Sequence, residues 1–135
     1  MSSRGSYAMN GHVTTTEYKT TGTSNSGAKK LVGTSRQNHS LPDYAHSPNA
    51  VYVKYKKDGK TVHEIRIYDE NGKPIIEIAY HPEPKLNNGD RETNIVHFHT
   101  FDGLTRKDAI RIESQPNVKE RYKNILKEFD LYDKC

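Results

Sequence analysis

Val62-His63-Glu64-Ile65-Arg66-Ile67-Tyr68-Asp69-Glu70-Asn71-Gly72-Lys73-Pro74-Ile75-Ile76-Glu77-Ile78-Ala79-Tyr80-His81 is the stretch whose reading decides the fold. Ile65 and Ile67 alternate with Glu64, Arg66 and Tyr68 ahead of Asn71-Gly72. Behind it, Ile76, Ile78 and Tyr80 alternate with Glu77, Ala79 and His81. A period of two on both sides of Asn-Gly is the signature of a β-hairpin with one buried face. A two-residue type I′ loop at Asn71-Gly72 sets Glu70 opposite Lys73, Ile67 opposite Ile76, Ile65 opposite Ile78 and Arg66 opposite Glu77. Apolar then meets apolar and cation meets anion. A three-residue loop with a glycine bulge would set Ile65 against Glu77 instead.

Working outward, residues 51–57 alternate Val51, Val53 and Tyr55 with Tyr52, Lys54 and Lys56. A three-residue loop Lys57-Asp58-Gly59 puts Val53 and Tyr55 on the Ile65 side. Downstream, Pro82, Pro84 and Asn87-Asn88-Gly89 mark a loop, and Val96 and Phe98 alternate with His97 and His99 in a fourth strand. Residues 105–112 read as a short helix or as a fifth strand on Ile110 and Ile112. A C-terminal helix is expected from Pro116, an Asn117 cap with Glu120 at N3, and a stripe of Val118, Tyr122, Ile125, Leu126, Phe129 and Tyr132. The expected fold is α+β: a four-stranded antiparallel meander sheet with the helix packed on one face.

Residues 1–46 differ in texture. Ser, Thr, Gly and Asn dominate, and Tyr7, Val13, Tyr18, Leu31, Val32, Leu41 and Tyr44 follow no period. Such a segment does not offset its own ordering entropy. It is expected to be a flexible arm, basic through Arg4, Lys19, Lys29, Lys30 and Arg36, ahead of a small domain over 47–135. Residues 14–16 and 19–21 could form a strand only by docking on the sheet. In the whole chain of 135 residues, hydrophobic residues make up 32% and glycines number nine. Typical domains reach roughly 45–50% on the count that includes glycine, which also suits a partly unfolded chain.

The chain carries 21 basic and 17 acidic residues, for a net charge of +4. That disfavours mimicry of DNA and permits an anionic partner such as RNA, a nucleotide or an acidic protein face. No apolar run approaches the ~20 residues of a membrane helix, and the first ten residues lack the apolar core of a secretory signal. A cytoplasmic protein is expected. The single cysteine, Cys135, excludes an intramolecular disulfide and a Cys-rich zinc module. Phosphate loops, nucleophile elbows and His-Glu-x-x-His are absent from the sequence.

With these registers the core face carries Val51, Val53, Tyr55, Ile65, Ile67, Ile76, Ile78, Tyr80, Val96 and Phe98. The opposite face carries Lys54, Glu64, Arg66, Tyr68, Glu77, His81, His97 and His99, a set richer in chemistry than solubility requires. His63 falls at the end of the core face. Three readings of the polar face stay open. In metal-free phosphodiester cleavage, His97 or His99 pairs with His81 or Glu77 as acid and base, and Arg66 or Lys54 stabilises the developing charge. In a metal site, His81, His97 and His99 supply three nitrogens. The third is a decorated outer face used for binding alone. Lys54, Glu64 and Tyr68 are the binding candidates, and Tyr52, Tyr55 and Tyr68 among cations suggest base stacking.

The run Ile67-Tyr68-Asp69-Glu70-Asn71-Gly72-Lys73-Pro74-Ile75, then Ile78-Ala79-Tyr80-His81, then His97-Phe98-His99, resembles a C-terminal module of small proteins of Gram-positive phages and mobile elements. Some of these resemble polymorphic-toxin tips, and the start Ser2-Ser3-Arg4-Gly5 is similar to such proteins. Ala79 stands where that pattern carries an acid, and Pro82 where it carries glycine. The resemblance implies a small ribonuclease of toxin type, needing no cofactor and acting on RNA. Its departures favour a phage-encoded, non-catalytic inhibitor that binds a host defence protein, a nucleotide signal or nucleic acid.

Overall fold

The computed structural model describes residues 6–9, 12–15, 18–33 and 41–135, and side chains over 20–32 and 41–135. The expected meander is present: β5 (Val51–Tyr55), β6 (Val62–Tyr68), β7 (Pro74–His81) and β8 (Ile95–Asp102) pair antiparallel in sequence order. The sheet does not stop at four strands, which corrects the expectation. β3 (Tyr18–Thr23) and β4 (Lys29–Gly33) extend it on the β5 side, and β4 pairs parallel to β5. On the far side β8 pairs with β9 (Thr105–Arg106) and β10 (Ile110–Arg111). A separate hairpin joins β1 (Ser6–Met9) and β2 (His12–Thr15). Thr16 of the 14–16 segment and the side chains of Arg4, Lys19 and Arg36 lie outside the described residues.

Ile67 pairs with Ile76, Ile65 with Ile78 and Arg66 with Glu77, the expected register. The route to it differs. Gly72 has φ 79° while Asn71 is not in the left-handed region. Asp69 N–H donates to Lys73 O at 2.8 Å, and Gly72 N–H to Asp69 O at 3.0 Å. The loop is therefore the three-residue form, and the one-residue slip it imposes is undone between Ile67 and Tyr68, where Tyr68 pairs with Pro74. Ile75 is the extra residue of that bulge, 43% exposed. The β5–β6 connection behaves alike. Lys56 N–H bonds to Thr61 O and Tyr55 pairs with Val62, leaving four loop residues rather than three, and the register shifts again before Lys54 meets Glu64. His63 is the residue absorbed there.

The core lies on the expected face, where Val53, Ile65, Ile76, Ile78, Val96 and Phe98 meet Ile112, Leu126, Phe129 and Leu131. The C-terminal helix is broken into α1 (Pro116–Arg121) and α2 (Lys123–Glu128) at Tyr122. Gln115 occupies the N-cap position without a side-chain bond, and Pro116 is the first helical residue, so Asn117 is not the cap. Asp130, at φ 59°, ends α2, with Leu131 N–H returning to Leu126 O at 2.7 Å.

The opposite face is covered too. Leu41, Ala50, Tyr52, Tyr68 and Leu31 form a second apolar cluster on it. Residues 41–50 are fastened to the β6–β7 hairpin by Ala45 N–H to Gly72 O (2.7 Å), Asn49 N–H to Asp69 O (2.9 Å) and Tyr68 N–H to Ala50 O (3.0 Å). Residues assigned to a flexible arm thus build part of the sheet and roof one of its faces. No described helix is long and apolar enough to cross a membrane.

Candidate functional site

Strand pairing sets the polar residues in two rows across the sheet. Tyr52, Arg66, Glu77 and His99 form one, and Lys54, Glu64, Ala79, His97 and Arg111 the next. Burial decides what they can do. Arg66 is 4% exposed, Glu77 and His97 0%, Glu64 6% and His99 7%. The expected solvent-facing catalytic surface is therefore a polar interior.

Arg66 is held through both terminal nitrogens, while its Nε has no hydrogen-bond partner among the described residues. Its Nη1 donates to Leu41 O (3.0 Å) and Pro42 O (3.2 Å), its Nη2 donates to Glu77 Oε1 (2.9 Å), and its guanidinium lies 5.3 Å from the Phe101 ring centroid. The Tyr68 hydroxyl donates to the same Pro42 carbonyl. Glu77 takes a second cation, as Arg106 Nη1 donates to its Oε2 at 2.8 Å. Burial alone would raise the Glu77 pKa, but the two guanidinium groups outweigh it and hold the carboxyl well below its ordinary range. Such a carboxylate does not exchange protons near neutrality. Glu64 is the reverse: burial first, then the neighbouring Glu77 charge, hold it far above the carboxylate range and keep it neutral. Glu64 Oε1 has no hydrogen-bond partner among the described residues.

Four histidines run along the same side. The His63 and His81 rings stack at 4.8 Å, His81 meets His97 edge-on at 4.6 Å, and His97 meets His99 edge-on at 5.5 Å. The register shift at His63 carries it over from its expected core position. His81 Nδ1 lies 2.9 Å from Pro82 O, His97 Nδ1 3.0 Å from Ile95 O and His99 Nδ1 2.7 Å from Lys107 O. A carbonyl oxygen only accepts, so Nδ1 carries the proton in each ring and Nε2 is the basic nitrogen. His97 Nε2 has no partner among the described residues. Burial drives the His97 pKa down to about 4, against the bond to Ile95 O and with help from His81 and His99. Burial, then His81 and the nearby lysines, drives His63 to about 4. No three His, Cys, Asp or Glu among the described residues are placed to hold a metal ion, so His81, His97 and His99 do not form the three-nitrogen site weighed from sequence.

At His99 the polar layer reaches a solvent-open cleft. This cleft, of about 420 Å³, runs between the turn at Pro84–Leu86 and residues 106–109, lined by Glu83, Lys85, His99, Arg106, Lys107 and Asp108. His99 alone of the expected catalytic residues lines it. Arg106 is 49% exposed through its side chain and is aimed by Glu77, while the Lys107 carbonyl fixes the His99 tautomer. Lys54 is half-buried opposite Glu64, and Tyr52 and Tyr68 are buried, so they form no stacking platform. Lys85, Arg106 and Lys107 escaped the sequence reading. The missed signal was Gly103: the chain turns through Gly103-Leu104, with Gly103 at φ 61°, and lays Arg106 against Phe101.

No protein-family model, curated protein or solved structure matches the chain.

Proposed function

We propose that this protein binds a phosphate-bearing ligand of nucleotide size in the cleft between residues 83–86 and 106–109. One observation carries the reading: three cations, Lys85, Arg106 and Lys107, converge on one cleft with His99, and Arg106 is pre-oriented by a buried carboxylate. A guanidinium held in place loses little freedom when it grips phosphate oxygens. The volume falls in the range of small-ligand sites, roughly 300–1,000 Å³. A mononucleotide or a short phosphodiester suits it better than a long strand, because Tyr52 and Tyr68, two of the tyrosines that would stack successive bases, are buried and Tyr55 packs against the core.

Metal-free RNA cleavage is the second reading, and His99 favours it. With Nδ1–H donating to Lys107 O, its Nε2 carries the lone pair in a cleft lined by three cations. The partners expected from sequence, His81 and Glu77, do not line the cleft; its own carboxyls are Glu83 and Asp108. Glu64, the carboxyl held neutral, sits on β6 behind the cleft wall, and Glu77 is locked as an anion. Binding outranks cleavage because the three cations suffice for it, whereas cleavage also needs Glu83 or Asp108 to serve as the acid. A toxin-type or inhibitor role of phage origin is compatible with either reading and rests on the sequence resemblance.

The experiment is calorimetric titration with adenosine 5′-diphosphate and with inorganic pyrophosphate in EDTA, beside a Lys85→Ala/Lys107→Ala variant. Saturable binding that weakens by about tenfold or more in the variant is expected, a loss of about 1.4 kcal/mol. Absence of saturable binding, or equal binding by the variant, overturns the proposal. Total RNA incubated with the same protein should stay intact; RNA cleavage that disappears in His99→Ala would promote the second reading.

A further inference from the structure

Successive residues of β8 face opposite sides of the sheet, so while His99 lines the anion cleft, Phe98 and Thr100 line a groove on the helix side. This groove, about 320 Å³, runs between the sheet and α1, with Ile76 and Phe98 as its floor and Val118 and Tyr122 as its helix wall. Ile75, the extra residue of the β-bulge, forms its outer lip. The bulge thus restores the register and also leaves an isoleucine standing at the mouth of an apolar cavity.

Arg121 is the one charged residue lining the groove, and no carboxylate accompanies it there. Among the described residues Arg121 makes none of the ion pairs, which belong to Arg66, Arg106, Arg111 and Lys134. An apolar cavity with a single unmatched guanidinium at its rim is complementary to a molecule with an apolar body and one anionic end. We infer that this groove is a second binding site, for a small apolar carboxylate whose carboxyl group is taken by the fork of Arg121. A peptide strand is a poorer fit, because β8 is already paired with β9 and β10 at this edge. The inference does not depend on the anion cleft, which lies across the sheet.

Octanoate is the probe, with octylamine as its charge-reversed counterpart, each titrated into the full chain by calorimetry and by amide NMR shifts. Octanoate should bind at least about tenfold more tightly than octylamine and shift the amides of Ile75, Phe98 and Arg121. Arg121→Ala, an exposed change that leaves the core intact, should erase the preference. Arg121→Lys keeps the charge without the fork and should retain part of it. The Lys85→Ala/Lys107→Ala variant should bind octanoate like the wild type. The proposal is overturned by no saturable octanoate binding up to about 10 mM, by equal binding of the amine, or by octanoate binding that survives Arg121→Ala unchanged.

Discussion

Glu77 is the residue on which the polar layer turns. It is fully buried, it neutralises Arg66, which is itself 4% exposed, and it aims Arg106 into the cleft. Two ions removed from water are costly, and their mutual attraction with well-placed hydrogen bonds offsets that cost only while the set is complete. Glu77→Gln leaves the buried Arg66 guanidinium with only the more distant Asp43, at 4.0 Å, as counter-charge. It should destabilise the fold by about 3–5 kcal/mol in urea unfolding. Arg106→Ala removes the half-exposed partner and should cost no more than about 1 kcal/mol. Equal losses for the two would mean that burial of Arg66 does not govern the layer. At this scale the pairing of Arg66 with Glu77 was legible in the sequence, since alternation and charge complementarity fix cross-strand neighbours. The burial of both was not. The roof that removes them from water comes from residues 41–50, which carry no period and touch the face through carbonyls of Leu41 and Pro42 that any residue type would present.

Among the elements, the two hairpins show what a strand pattern determines. It fixes which face a side chain occupies, because a slip of one residue would turn isoleucines outward. It leaves the loop free, since a longer turn with a compensating bulge gives the same faces. Both connections take that route, at Ile75 and at His63. The bulges then have consequences of their own: one places His63 against His81, the other stands Ile75 at the groove. The glycines of the loops separate two costs. Gly59, at φ 70°, has open space where a Cβ would stand, so Gly59→Ala should cost only the left-handed penalty, about 1–2 kcal/mol. Gly72, at φ 79°, would place a Cβ 2.9 Å from the Ala45 carbonyl oxygen. Gly72→Ala should therefore cost clearly more, and it should loosen residues 41–50, seen as faster amide exchange at Ala45. A Gly72→Ala variant no less stable than Gly59→Ala would show that this segment is not clamped on the hairpin.

For the whole molecule, a sheet covered on both faces places titratable groups where folding changes their proton affinity, and opposing signs set the pH of greatest stability. The Glu64 pKa rises from 4.5 to about 8 on folding, so between those values the folded protein holds a proton the unfolded chain has lost. Stability from this group falls as pH rises through that window. His63 and His97 drop from 6.5 to about 4, so the unfolded chain binds the extra protons and stability rises with pH between those values. Glu77, depressed to about 2 from 4.5, adds stability above its unfolded value that is lost as pH falls. Below pH 6.5 the two histidines outweigh Glu64; above it Glu64 acts alone. Stability should therefore peak near pH 6.5 and decline toward pH 8 with a slope of at most about 1.4 kcal/mol per pH unit. Glu64→Gln keeps the amide uncharged at every pH and should flatten that alkaline limb while steepening the acid limb, where Glu64 no longer offsets the two histidines. Urea midpoints measured from pH 5 to 8.5 on both proteins decide it: a wild-type curve that stays level or climbs above pH 6.5 would mean that Glu64 ionises freely in the fold.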